Sequence, residues 1–354
     1  MRYSTKNLVL LFLCLVLSTL QTYSQSIEEI QEHYVRKDFA KVISLGLQAL
    51  ESDPENALVN SVVGRALTDS KKFKEAIPYL IKGLAEKDNP KWVIAWSHTY
   101  LGLCYYFTDE ILKAQEHFNA CIRLNATKNS TQHAERRLKA FQLDEYYKSW
   151  HSIETVHFRF HFQNKKDIPD MASFTDLREK AYENINKFFK GTPPKKIDFY
   201  VWSDADAGKS QLGKNVGFAI ADLCIINVMK NQTRGHEITH ILLEYGLHPI
   251  IKTGFINEGT ATFFDQTDRN RMEVAKEAIA EIEIKVLDLW DNPDKYTSDL
   301  NYTVGSAWIE YLNKKGSEAQ LKKLLAEQTS AAAKLIYQDF DDLLSEFENA
   351  LNKK

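Results

Sequence analysis

Within Thr233-Arg234-Gly235-His236-Glu237-Ile238-Thr239-His240, two histidines stand four residues apart and a glutamate follows the first. On a helix that spacing brings both imidazoles to one face, within reach of a single metal ion. Glu237 is then placed to take a proton from a water on the metal, the chemistry of metal-assisted hydrolysis. Two imidazoles leave a catalytic zinc short of a ligand, since such sites use three protein ligands and keep one position open for water. Glu258, 18 positions beyond His240, is the candidate. A gap of that length finishes one helix, turns at Gly246-Leu247-His248-Pro249, and presents a carboxylate from a second helix.

With these residues in view, the sequence resembles the gluzincin group of zinc metallopeptidases, the thermolysin and aminopeptidase-like clan. Asn257-Glu258-Gly259-x-Ala261 is similar to that clan's third-ligand segment, and the spacing is nearer the aminopeptidase pattern than the thermolysin one. The resemblance extends over about Val216 to Asp265. It implies one Zn²⁺ per chain on His236, His240 and Glu258, with Glu237 as general base and a peptide or protein as substrate. A run of Gly-x-Met-Glu-Asn type, which grips a substrate amino terminus in the aminopeptidases, is absent, which favours endopeptidase action. Further on, Asn301-Tyr302-Thr303-Val304-Gly305 resembles a family segment in which a tyrosine or histidine reaches the cleft. Tyr302 is the candidate O–H donor to the developing oxyanion; the alternative is a packing tyrosine. Glu244, one turn beyond His240, reads as solvated or one step removed from the metal, because a straight helix does not wrap three ligands around one ion.

The elements that must position these groups come next. A chain of 354 residues suits two domains. Its apolar content of 44% and charged content of 26% are those of an ordinary globular protein. A net charge of −3 gives no electrostatic case for nucleic acid or an anionic membrane. Arg2 and Lys6 precede the apolar run Leu8 to Leu17 and then small polar residues. Residues 1–25 therefore read as a cleavable signal peptide, implying a secreted or periplasmic protein with no membrane span once it is removed; a retained anchor is the alternative. Beyond the signal, Cys104, Cys121 and Cys224 are odd in number and widely spaced, so neither a disulfide framework nor a cysteine zinc site is expected.

Residues 26–150 repeat loosely. Gly64, Leu67, Ala76, Leu80 and Gly83 are followed 38 residues later by Gly102, Tyr105, Ala114, Phe118 and Cys121. The extra four residues fall in the turn Asp88-Asn89-Pro90-Lys91, and Phe39, Ala49 and Pro54 mark a degenerate first unit at an offset of 34. The pattern resembles tetratricopeptide (TPR) helix pairs, which implies an all-α solenoid and a protein or peptide partner on its concave surface, or else a rigid spacer. His133 to Trp150 reads as its capping helix.

Residues 151–354 carry the chemistry. His157 to Phe162 alternates strictly, as a half-buried strand does, with three phenylalanines facing the core. His157, Arg159 and His161 then share a solvated face. A helix from Ala172 to Lys190 and a strand from Lys196 to Trp202 follow. Gly208-Lys209-Ser210 has the end of a phosphate loop but Ser203 stands in place of its first glycine, so it is set aside. Val216–Ile220 and Cys224–Val228 form a hairpin leading into the active helix. In gluzincins an edge strand at this point lines the cleft and pairs with an extended peptide. The remainder is helical, with Phe340, Leu343, Leu344, Phe347 and Leu351 lining the inner face of a last helix.

The expected fold is thus α+β: an all-α TPR-like solenoid followed by a thermolysin/aminopeptidase-like zincin domain. The expected function is zinc-dependent hydrolysis of peptide bonds. Two alternatives remain: a binding protein in which the repeats act and the zincin is a non-catalytic scaffold, and a zinc hydrolase for a non-peptide amide or ester.

Overall fold

The computed structural model describes residues 28–85 and 89–353. The expected signal peptide, residues 1–25, lies outside them, and so does Asp88 of the inter-repeat turn. The fold is α+β, and the chain divides into two compact units between Lys148 and Ser149. Among the described residues no helix is long and apolar enough to cross a membrane.

The first unit is helical: α1 (28–35), α2 (Phe39–Ser52), α3 (Ala57–Asp69), α4 (Phe73–Lys82), α5 (Lys91–Phe107), α6 (Ile111–Leu124) and α7 (Lys128–Ala140). Its sequence repeat is a packing repeat. A Cβ on Gly64 of α3 would lie 2.6 Å from Leu80 of α4, and one on Gly102 of α5 would lie 2.6 Å from Phe118 of α6. In both helix pairs glycine admits a large side chain that a methyl group would exclude. Cys104 and Cys121 are buried free thiols beside Thr68 and Thr99 hydroxyls, and burial pushes the Cys104 thiol up to about 12. The capping helix differs from expectation. Instead of His133 to Trp150, α7 starts at Lys128, capped by the Thr127 side chain, and ends at Ala140. Gln142, at φ 55°, turns the chain out of the helix.

The second unit is built on five strands in the order β1-β2-β3-β5-β4. β2 (Phe158–Phe162), β3 (Ile197–Trp202) and β5 (Ile225–Met229) run parallel, while β1 (His151–Glu154) and β4 (Phe218–Ile220) are antiparallel edges. The sequence reading missed β1, because its four residues carry only one apolar side chain, Ile153. Phe158, Phe160 and Phe162 are buried against Phe199 and the helix α8 (Met171–Phe189). Each such ring contributes roughly 1.5–3 kcal/mol on burial.

The opposite strand face is not the solvated surface expected from the alternation. Asp198 of β3 accepts from His161 Nε2 at 3.0 Å and from Arg159 at 3.3 Å, and pairs with the buried Lys195 ammonium. These polar groups satisfy one another, so the face can be covered. Burial pushes the Asp198 carboxyl up, but the Lys195, His161 and Arg159 charges outweigh it and hold it well below the usual aspartate range. A depressed native pKa contributes stability above the unfolded value, and that contribution is lost as pH falls towards the folded one. Asp198→Asn should therefore lower stability by about 3 kcal/mol at neutral pH and flatten the acid side of the stability profile. Chemical denaturation from pH 7 to pH 3 measures both; an unchanged acid limb contradicts the assignment.

After β4 and β5 the chain is helical. α10 (His236–Leu247), α11 (Gly254–Phe263), α12 (Arg271–Ala278) and α14 (Asp299–Lys315) surround the site. Behind them lie α13 (Val286–Asp291), α15 (Glu318–Ala326), α16 (Ser330–Ile336) and α17 (Phe340–Asn352). The short helix α9 (Ala205–Leu212) contains Gly208-Lys209-Ser210, which are therefore helical and not a phosphate-cradling loop.

Candidate metal centre

α10 begins at His236, with Gly235 as its N-cap. A Cβ on Gly235 would lie 2.5 Å from the Phe264 carbonyl oxygen, and Gly235 N–H donates to Asp265 O at 3.2 Å. The start of α10 is thereby tied to the end of α11. Ile238, Ile241 and Leu242 bury one face of α10 completely. The opposite face presents His236 and His240, whose ring centroids lie 5.1 Å apart. His248, at φ 47°, ends the helix where the turn was expected.

α11 brings Glu258 to this face. Thr253 caps the helix by accepting from Ile256 N–H, while Phe255 and Ile256 are buried. On the far side α11 meets α14 backbone to backbone: a Cβ on Gly259 would lie 2.5 Å from Gly305 C, and one on Gly305 2.5 Å from Phe255 O. Only glycine at both positions allows that approach.

The three side chains converge. Glu258 Oε2 lies 3.2 Å from His236 Nε2 and 3.3 Å from His240 Nε2. One donor atom from each residue falls within 4.8 Å of the others. The other ring nitrogens are engaged elsewhere: Thr262 Oγ1 lies 3.4 Å from His236 Nδ1, and the Asn257 amide 3.2 Å from His240 Nδ1. The Thr262 hydroxyl can accept from His236 Nδ1–H, which leaves Nε2 of that ring for an ion, while the Asn257 NH2 group holds the His240 ring from its Nδ1 side. Burial pushes the Glu258 carboxyl up, but hydrogen bonds from both histidines outweigh this and hold it well below the usual range. It is therefore ionised, as a ligand must be. Two imidazoles and one carboxylate brought this close could hold a metal ion, and this donor set is one that zinc sites with an open fourth position use.

Glu237 is 6% exposed and lies beside Ala219 of the edge strand β4. Burial lifts its carboxyl to about 7, with the Glu258 charge adding to the rise while His236, Lys214 and the Ala219 backbone N–H oppose it. Tyr302, on α14, lies over the His236 ring with centroids 5.6 Å apart, and its hydroxyl is near enough to Glu258 to feel that carboxylate. Burial and the Glu258 and Glu237 charges push that hydroxyl up to about 12, so it stays a proton donor at neutral pH. Glu244 lines the same cleft and is engaged in an ion pair with Lys252 at 2.7 Å. His236, Glu237, His240, Glu258 and Tyr302 all line one cleft of about 1090 Å³, with β4 along one wall.

Sequence reasoning missed the roles of Thr262, Asn257 and Lys214. Thr262 carried a readable signal, standing four residues after Glu258 and hence on the same face of α11. Lys214 carried none; a turn brings it to the cleft, where it lies over the Phe218 ring at 3.3 Å. A scan of the chain against protein-family models finds no match, and neither does a search of curated proteins.

The glycine contact gives a test remote from the donor atoms. Gly305→Ala should push α11 away from α14, destabilise the fold by about 2 kcal/mol and weaken zinc binding about tenfold or more. Zinc titration against a competing chelator, beside thermal unfolding, checks it. Unchanged affinity would show that α11 is positioned by other contacts.

Proposed function

We propose that the second unit is a zinc-dependent peptidase of gluzincin type, carried behind a TPR-like helical unit. The observation that carries this reading is the convergence of His236 Nε2, His240 Nε2 and Glu258 Oε2 on one point, with the buried Glu237 carboxyl beside them. A zinc ion held by the three residues supplies a Lewis acid that makes water nucleophilic at neutral pH and polarises a carbonyl.

The protein's own groups do the remainder. Glu237 takes one proton of the attacking water and returns it to the nitrogen as the carbon–nitrogen bond breaks, leaving a carboxylic acid and an amine, which ionise to carboxylate and ammonium. A carboxyl lifted to about 7 suits both transfers near neutral pH. Tyr302 donates its O–H to the former carbonyl oxygen as negative charge grows there. The edge strand β4 offers backbone groups to an extended chain, the usual way in which a sheet edge holds a peptide. The absence of a Gly-x-Met-Glu-Asn-type run from the sequence favours action within a chain. In the first unit, glycine and large residues meet at equivalent positions of successive helix pairs, which supports the TPR-like reading and a peptide or protein partner.

Glu237→Gln separates a catalyst from a scaffold. Turnover of a quenched casein-type or mixed-peptide substrate should fall at least about a thousandfold, with zinc content unchanged. Retained hydrolysis would remove Glu237 from its role. Tyr302→Phe should lower kcat about 10²-fold and leave KM within about threefold, because its hydrogen bond strengthens only as the oxyanion forms. A rise in KM alone would make Tyr302 a binding group.

A further inference from the structure

The free charges of the cleft are segregated along α10. β4 runs beside this helix from Gly217, packed on Gln232 just before the helix start, to the segment ending at Asp222, whose carbonyl accepts from Tyr245 OH in the last turns. At the first end stand Lys214, set over the Phe218 ring, and Arg269, in the loop between α11 and α12. That loop is fixed by the buried Asp265–Arg271 ion pair at 2.7 Å and by the bond from Gly235 N–H to Asp265 O. Neither Lys214 nor Arg269 has a carboxylate partner among the described residues, whereas Arg271 is neutralised by Asp265. At the opposite end Lys252 is neutralised by Glu244, and Asp222 has no cationic partner among the described residues.

The chemistry proposed above gives this polarity a direction. Glu237 returns its proton to the leaving amine, so the C-terminal half of a cleaved peptide lies on the Glu237 side. Lys214 is close enough to Glu237 for each to feel the other's charge. The amine-side product therefore leads towards the two free cations.

We propose that Lys214 and Arg269 form a carboxylate-recognition subsite for the residues that follow the scissile bond, so that the preferred substrates are peptides bearing an acidic side chain or a free chain terminus there. This inference rests on the peptidase reading for its direction, but the two cations in the cleft exist independently of it. Charged hydrogen bonds within a substrate-filled cleft discriminate well, because the wrong substrate leaves the cations without partners.

The test uses the full chain with zinc and a matched set of fluorogenic peptides. Members differ only in Glu against Gln two residues after the cleaved bond, and in a free against an amidated C-terminus just beyond it. The expected result is kcat/KM about tenfold higher for a carboxylate-bearing peptide than for the Gln amide, falling below about twofold in Lys214→Ala/Arg269→Ala. A Glu effect that persists in the amidated series assigns recognition to side chains. An effect confined to free termini assigns it to the chain end. Wild-type ratios within twofold, or ratios unchanged in the double variant, overturn the proposal. Binding of the same labelled peptides to the Glu237→Gln protein, followed by fluorescence anisotropy, separates the two readings. Carboxylate-selective binding that needs Lys214 and Arg269, in a protein whose wild type cleaves nothing, keeps the subsite and rejects the peptidase.

Discussion

The close approach of α11 to α14 at Gly259 and Gly305 holds the helix that carries Glu258 beside the two imidazoles. Gly259 and Gly305 face each other there, each with backbone atoms of the opposite helix inside the space a methyl group would need. The helix carrying the carboxylate is thus set by main-chain contact, which has fewer ways to relax than a layer of flexible side chains. At its other end α11 is tied to the start of α10 through Gly235 and Asp265. Donor atoms from two helices, 18 residues apart in sequence at the closest, then stand within 4.8 Å of one another. Holding a carboxylate between two imidazoles in that geometry lowers the ordering cost of capturing an ion.

The electrostatics follow from this placement. Glu237 and Glu258 lie in the same cleft, yet their carboxyls are pushed in opposite directions. Glu258 has two histidine donors that outweigh its burial; Glu237 is more deeply buried and has the Glu258 charge for a neighbour. Divergent environments of this kind are what the proposed division between a metal ligand, Glu258, and a proton carrier, Glu237, requires. Tyr302 completes the set with a hydroxyl held in its protonated form.

Much of this was legible in the sequence because short-range geometry controls it. His236 and His240 at a four-residue spacing can face one point only on a helix, and α10 is that helix. The alternation of Phe158, Phe160 and Phe162 likewise leaves little choice of strand face. What escaped depends on distant partners. The polar side of β2 is covered because Asp198 and Lys195, some 40 residues on, neutralise it. β1 has too little apolar pattern to announce itself and is a strand because β2 offers an edge. The helix expected at His133 to Trp150 was misplaced because its cap, Thr127, precedes the charged residues on which the reading relied. Lys214 and Arg269 sit in connecting segments, where no periodicity tells which way a side chain will point.

The central claim is that His236, His240 and Glu258 together hold one zinc ion. The most direct measurement is metal analysis of the purified, zinc-reconstituted protein combined with zinc K-edge X-ray absorption, repeated on His240→Ala and Glu258→Ala. The account predicts about one zinc per chain in a shell of two imidazole nitrogens plus oxygen ligands, with the metal lost from both variants. No zinc in the wild type, or an unaltered shell without Glu258, would contradict it.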